Sequence, residues 1–287
     1  MNNDAARKVL QLQSGAPVGS LTPISAEWAR DERGALFKYT QSERYEAAKR
    51  RRWAARDKRH FSFTHMQHIR EITQGLSNKY CGYVLLLQPY IAFKSNVLVT
   101  EGREDTPLTI GDLAQVWDVS KRTARVIINE LEVRSIVFET SGTFTINERY
   151  HFRKKAADDV DALIKTYFTT LKSFDMTAAD LGFVYKLLPY VHYDTNVICA
   201  DPFVENPEDV RFLNEKAVAD IAGMNELKAA QALARLRKSG IIGEWFTGHD
   251  RRDKLTVLNP YVFYRKRGEP DGTLRTLFAA KRAENVK

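Results

Sequence analysis

The chain is ordered around one stretch, Leu108-Thr109-Ile110-Gly111-Asp112-Leu113-Ala114-Gln115-Val116-Trp117-Asp118-Val119-Ser120-Lys121-Arg122-Thr123-Ala124-Arg125-Val126-Ile127-Ile128-Asn129-Glu130-Leu131. Thr109-Ile110-Gly111-Asp112 is a capping-box-like helix start, with Asp in the place of Glu. The helix it opens carries Leu113, Ala114 and Val116-Trp117, and Asp118-Val119 forms a tight turn. Ser120 then caps a second helix, in which Ala124, Ile127, Ile128 and Leu131 fall at i, i+3, i+4 and i+7 and make one apolar face. Residues 136–140 and 143–147 read as a β-hairpin around Ser141-Gly142.

A second copy of this pattern lies downstream. Gly82-Tyr83 recurs as Gly182-Phe183, Pro89-Tyr90 as Pro189-Tyr190, and Asn96-Val97 as Asn196-Val197, all at an offset of 100. Ser77 and Thr177, each a plausible helix N-cap, share that offset. It becomes 105 for Leu108 with Leu213, Ala124 with Ala229, Leu131 with Leu236 and Ile136-Val137 with Ile241-Ile242. It becomes 112 for Asn147 with Asn259 and Arg153-Lys154 with Arg265-Lys266. The changes of register fall where loops are expected, and loops tolerate insertions. In the second copy Asn214 and Asn225 are the caps, Ala229, Ala232, Leu233 and Leu236 the apolar stripe, and Gly240 the C-cap. Its hairpin strands are 241–246 and 254–258. Each copy thus reads as a helix, a short strand (96–100 or 196–200), two helices with a tight turn, and a hairpin. Copies of about 90 to 110 residues are domains and too long for solenoid units.

That order of elements is the order of a winged helix-turn-helix domain. Residues 108–137, notably Asp118-Val119-Ser120-Lys121-Arg122-Thr123, resemble the helix-turn-helix of bacterial DNA-binding winged-helix proteins. Leu258-Asn259-Pro260-Tyr261-Val262-Phe263 is similar to the close of the winged-helix domain in replication proteins of Gram-positive plasmids and phages. Two such domains in tandem resemble plasmid origin-binding initiators. The resemblance covers residues 61–267 and implies a mainly α chain with small β-hairpins (α+β), built as two tandem winged helix-turn-helix domains related by internal duplication. The expected layout is a mobile N-terminus and basic arm (1–60), domain 1 (61–154), domain 2 (155–267) and a C-terminal tail (268–287). The resemblance implies binding without cleavage, so it carries over no catalytic residue.

In a helix-turn-helix the start of the second helix meets base edges in the major groove. The face left free by the apolar stripe of copy one offers Lys121, Arg122, Arg125 and Asn129. Arg can be bidentate to guanine, Asn to adenine, and Lys can reach phosphate. Ser120 and Thr123 at the helix start can donate to phosphate. In copy two Lys121, Arg122, Arg125 and Asn129 become Glu226, Leu227, Ala230 and Ala234. That face has lost its cations and suits packing on protein. The sequence therefore predicts an asymmetric tandem, in which domain 1 reads bases and domain 2 meets a partner, either a second copy of the chain or a replication or transcription protein. The second hairpin tip offers Arg251, Arg252 and Lys254 to phosphate, with Asp250 and Asp253 beside them.

The net charge is +8, from 44 Lys and Arg against 36 Asp and Glu. Residues 44–59 hold Arg44, Lys49, Arg50, Arg51, Arg52, Arg56, Lys58 and Arg59 against Glu46 and Asp57, a surplus of six. This block reads as a helix capped by Ser42 that lies along a nucleic-acid backbone, or else as a solvated helix face. Val160, Leu163, Ile164, Tyr167, Phe168 and Leu171 recur at helical spacing and predict an amphipathic helix packed on domain 2, with Met66, Ile69, Ile72 and Leu76 as its counterpart. Leu274, Leu277 and Phe278 share a face of a C-terminal arm that docks on a partner or frays.

Other chemistries find little support. The longest apolar run, Val84-Leu85-Leu86-Leu87, is far short of a membrane span, and no secretory pattern opens the sequence. Cys81 and Cys199 align with Leu181 and Val99, so both read as small buried hydrophobes, and two cysteines make no disulfide framework or zinc site. His65 and His68 lack further ligands for a metal. There is neither the paired-His signature of a rolling-circle nickase nor a phosphate-binding GxxxxGK[ST] loop. No cofactor is expected. The reading is a non-enzymatic, sequence-specific double-stranded DNA-binding protein of the cytoplasm, associated with nucleoid or plasmid. Within that class it is an origin-binding replication initiator of a plasmid or phage. The alternatives are a transcription regulator or repressor of a mobile element, and a protein-interaction adaptor that uses winged-helix docking.

Overall fold

The computed structural model describes residues 22–24, 28–30, 32–34, 36–38, 59–100, 106–154, 156, 162–204, 206–246 and 254–284. The chain divides into two units, Met1–Asp57 and Lys58–Lys287. In the first, strands β1 (Thr22–Pro23), β2 (Trp28–Arg30) and β3 (Leu36–Lys38) pair antiparallel in that order. Strands of two or three residues leave no periodicity to read, which is why the sequence presents this stretch as irregular. The helix expected over residues 42–59 lies, Arg59 apart, outside the described residues.

The second unit is a mixed α+β fold in which one order of elements occurs twice. Strand β4 (Phe61–His65) leads to α1 (Ile69–Gly75) and α2 (Asn78–Leu87), which tightens into a 3-10 turn at Gln88–Tyr90. Helices α3 (Ile110–Val116) and α4 (Lys121–Val133), a hairpin of β5 (Val137–Thr140) and β6 (Thr143–Ile146), and strand β7 (His151–Phe152) follow. The order then resumes with β8 (Leu163–Tyr167), α5 (Phe168–Lys172), α6 (Ala178–Leu187) and a 3-10 turn at Leu188–Tyr190. Next come α7 (Glu215–Ala222), α8 (Glu226–Ser239), the hairpin of β9 (Ile242–Phe246) and β10 (Lys254–Leu258), and β11 (Phe263–Tyr264). Helix α9 (Gly272–Glu284) completes the series.

The helix starts lie where the caps predict. The side chains of Ser77, Thr177, Asn214 and Asn225 each accept a backbone N–H from the residue three ahead. Thr109 and Asp112 form a reciprocal capping box, and Gly240 ends α8 in the left-handed region. The segments expected as strands at 96–100 and 196–200 pair through isolated bridges, Val97 with Thr145 and Val197 with Val257 among them.

The helix expected from Val160 to Leu171 is corrected. Among the described residues of that span, 163–167 form strand β8 and the helical turn is confined to 168–172. Strand β8 pairs antiparallel with β4, from Phe61 opposite Tyr167 to His65 opposite Leu163. It lies inside a four-stranded antiparallel sheet of order β11-β8-β4-β7, and all five of its residues are buried. A strand covered on both faces loses its alternation, so spacing alone cannot separate it from a helix.

Helices α2 and α6 cross at Gly82 and Gly182. A Cβ on Gly82 would stand 1.7 Å from the carbonyl oxygen of Ala178, and one on Gly182 would stand 1.6 Å from that of Asn78. The absence of side chains lets the helices approach backbone to backbone, and one apolar core continues across both series of elements. Leu85, Ile128 and Leu131 share it with Leu187, Leu233 and Leu236. A smaller cluster joins Val197, Val257, Tyr167 and Tyr264 to Leu274 and Phe278 of α9. The C-terminal arm therefore docks on its own chain, with the Phe278 ring over Gly243.

A buried polar group sits where the two series meet. The Ser62 hydroxyl donates to Gln88 Oε1 at 2.8 Å, Thr64 Oγ1 lies 3.0 Å from His151 Nδ1, and His151 Nε2 lies 2.7 Å from the Tyr185 hydroxyl. Burial drives the His151 imidazole down to about pKa 3, so it is neutral at neutral pH.

Candidate nucleic-acid interface

Helix α4 is held with its polar face outward. Ala124, Ile127, Ile128 and Leu131 are buried, while Lys121, Arg122, Thr123, Arg125, Val126 and Asn129 are exposed. Two devices fix its start. Asp118, in the turn after α3, has φ +49°, the left-handed conformation that Gly223 takes between α7 and α8. The indole of Trp117 donates to the carbonyl of Tyr83 at 3.1 Å and ties the turn to α2.

The six residues read from the sequence are brought together at this helix. Ser120 Oγ accepts the Thr123 N–H at 3.1 Å, and the two hydroxyls lie 2.9 Å apart. One hydroxyl proton is used between them and one is left to donate. Lys121 runs back over Gly111, its Cε 3.3 Å from where a Cβ would stand. Two hydrogen bonds from Thr109, and in smaller part the Lys121 charge, hold the Asp112 carboxyl below its ordinary pKa. Arg122 and Asn129 have no ion-pair or hydrogen-bonded side-chain partner among the described residues. The guanidinium of Arg125 meets Glu139 of the hairpin at 2.5 Å. The backbone N–H of Glu139 in turn donates to Glu132 at 2.9 Å. The Arg125–Glu139 pair has no signal in the sequence, because it requires the hairpin to fold back over α4.

Of the remaining candidates, Arg59 and Lys254 are among the described residues. Arg50, Arg51, Arg52, Arg56, Lys58, Arg251 and Arg252 lie outside the described residues. The Arg59 guanidinium stacks 3.8 Å from the Tyr167 ring centre. Lys254 opens β10 with its ammonium 3.4 Å from Glu244, which also takes Arg237 at 2.9 Å. Arg237 also meets Glu215 at 2.5 Å, so the two cations face two carboxylates.

Helix α8 occupies the matching place in the second series with a different surface. Leu227 is 71% exposed, and Ala230 and Ala234 are exposed beside it. Arg235 is bound by both carboxylate oxygens of Asp180, at 2.6 and 3.0 Å. Lys228 and Lys238 remain exposed. The helix carries Glu226 in its first turn and Arg237 and Lys238 in its last. That is the distribution a helix dipole favours. Helix α4 has no acid in its first turn and no base in its last, and it opens on Lys121-Arg122.

Cys81 and Cys199 are buried, and burial raises both thiols to about pKa 12, which removes them as nucleophiles. The His65 and His68 rings stack at 4.0 Å. Among the described residues no group of three His, Cys, Asp or Glu side chains is placed to hold a metal, and no helix is long and apolar enough to cross a membrane.

No protein-family model matches the chain, and no curated protein matches it. Among solved structures it is similar to the DIP2311 protein of Corynebacterium diphtheriae, at 11% identity and a TM-score of 0.17, over 63% of this chain and 26% of that one. The chain spans about a quarter of the length of the solved structure it matches.

Proposed function

We propose that the chain is a non-enzymatic, sequence-specific double-stranded DNA-binding protein of two tandem winged helix-turn-helix modules, related by internal duplication, with α4 as its base-reading helix. The observation that carries this reading is the charge at the start of α4. Two cations stand at the positive end of the helix dipole, where they cost stability, and the matching helix α8 has the stabilising arrangement. A ligand that brings negative charge to the N-terminus of α4 turns that cost into binding energy. Arg122, Arg125 and Asn129 supply the donors and acceptor that distinguish guanine and adenine in the major groove.

The biological role follows from the resemblance of residues 61–267 to plasmid and phage replication proteins. On that basis the protein is an origin-binding initiator. The runner-up, a transcription regulator of a mobile element, uses the same helix. The exposed Leu227 and the alanines beside it favour a protein partner for α8, which is the adaptor's contribution within the same molecule.

Selection of sites from randomised duplexes, followed by footprinting, tests the reading. A row of directly repeated sites is the expected result for an initiator, and an inverted repeat for a dimeric repressor. Arg122→Ala combined with Arg125→Ala is expected to weaken the selected site by at least tenfold. Unchanged affinity and selectivity in that double variant would remove α4 from the interface.

A further inference from the structure

We infer that Val126 is a specificity-determining residue of the α4 surface, and that its side chain meets the 5-methyl group of a thymine. The inference rests on the reading of α4 as a major-groove helix and adds to it a base that Arg and Asn do not select.

At 100° per residue, the line of α4 opposite its buried stripe holds Arg122, Val126, Asn129 and Val133. Val126 is 55% exposed and Val133 83% exposed. Neither is called for by the helix itself, since a β-branched side chain lowers helix propensity and more than half of each is open to solvent. At the same register, 105 residues on, α8 carries Gln231 and Lys238. The two helices are thus inverted along this line. Where α4 is polar along it, at Arg122 and Asn129, α8 has Leu227 and Ala234; where α8 is polar, α4 has valine. A single exposed valine is ordinary on a protein surface. This one lies between the two side chains best suited to base edges.

Position along the axis selects Val126 over Val133. Val126 is about 6 Å from Arg122 and about 4.5 Å from Asn129 along the helix, one or two base-pair steps of DNA. It therefore reaches a base pair next to those that Arg122 and Asn129 meet. Val133 lies about 10 Å further, in the last turn, whereas base contacts come from the N-terminal part of such a helix. The thymine methyl is the apolar feature of the major groove, and it is the group an exposed valine can bury there.

The test uses the full chain and its selected duplex, with each thymine replaced in turn by deoxyuridine, which deletes only the methyl. Affinity is measured at one fixed salt concentration for the wild type and for Val126→Ala. The expected result is one thymine, or two adjacent ones, at which deoxyuridine weakens wild-type binding about fourfold, the value of one buried methyl group. Val126→Ala should bind the thymine duplex about fourfold more weakly than wild type and be indifferent to deoxyuridine at that position. The side chain is exposed and alanine is the better helix former, so a melting temperature equal to or slightly above that of the wild type is expected for the variant. Tight binding with no thymine sensitive to demethylation overturns the inference and leaves α4 as a base reader. So does a Val126→Ala variant that keeps the wild-type preference for thymine, the outcome expected if Val126 meets a protein. Failure to retain any duplex at low salt overturns the DNA-reading role itself and the inference with it.

Discussion

Gly82 and Gly182 touch through their backbones: a Cβ on Gly182 would stand 2.7 Å from the amide nitrogen of Gly82. The contact is reciprocal. Gly82 faces the carbonyl of Ala178, and Gly182 faces the carbonyl of Asn78, so adding 100 to one contact gives the other. The antiparallel pairing of β4 with β8 has the same self-complementary character. Such exchange is the mark of a contact between like surfaces, usual between the subunits of a two-fold dimer and here internal to one chain.

Either glycine replaced by alanine forces a methyl group into a backbone carbonyl, which cannot give as a flexible side chain can. Gly82→Ala and Gly182→Ala are each expected to destabilise the protein by about 3 kcal/mol or more. Gly272, with nothing within 4 Å of its Cβ position, serves as the control and should stay within about 0.5 kcal/mol. Urea denaturation checks all three, and wild-type midpoints for the first two would show that the helices can separate at no cost.

Acid should weaken the same junction through His151. The unfolded imidazole takes up its proton near pH 6.5 and the folded one near 3. Between these values the unfolded chain binds the extra proton, so stability falls as pH falls. The contribution is up to about 1.4 kcal/mol per pH unit, and it vanishes above about pH 7. His151→Phe, which copies Phe263 at the matching place, should flatten that slope between pH 7 and 5, whatever it does to stability at neutral pH. The slopes of urea midpoint against pH decide the matter, and equal slopes would assign the acid lability to other groups.

Four asparagines at matching places in the two series hold backbone carbonyls in the same way, and two of them do so across 55 and 67 residues. Asn96 and Asn196 both sit at φ +57°, and each side-chain amide donates to the carbonyl of the last strand of its own series, at His151 and Phe263. Asn147 and Asn259 donate to the carbonyls of Ser135 and Gly240. Caps and turns are decided by a few neighbouring atoms, so sequence carries them. The sheet is not legible in this way. Strand β8 meets β4 across about 100 residues, and the continuous burial of Leu163–Tyr167 removes the alternation that marks a strand. On α4 the cations follow from the outward register, and the same register contains Val126. An apolar residue outside the stripe carries no charge signal, so Val126 is silent in the sequence. The partner of Arg125, Glu139, depends on how the hairpin returns and has no signal in local spacing.

The charge block at residues 44–57 has its clearest consequence in salt dependence. A chain that begins at Lys58 keeps Arg59, stacked on Tyr167, and lacks Arg44, Lys49, Arg50, Arg51, Arg52 and Arg56. If those cations neutralise phosphates, the slope of log K against log salt should flatten by about 0.9 for each phosphate left without its cation, and the preference among sites should stay the same. Titrations at three salt concentrations measure it. An identical slope for the full and shortened chains would make the block a solvated surface.

The last prediction separates binding from stability at one residue. Arg122 stands in the first turn of α4, exposed, with a positive charge at the positive end of the dipole. Glutamate in its place reverses that interaction and, with the buried stripe untouched, should raise stability by about 0.5 to 1 kcal/mol. The same change sets a carboxylate against phosphate and removes the guanine contact, so affinity for the selected duplex should fall by well over tenfold. A residue kept for folding would lose both properties together, and a residue without function would lose neither. Opposite movement of the thermal midpoint and of duplex affinity in Arg122→Glu is the signature of a cation held in place for a ligand. A variant that melts lower than wild type would mean instead that Arg122 serves the helix in a way its exposed position does not reveal.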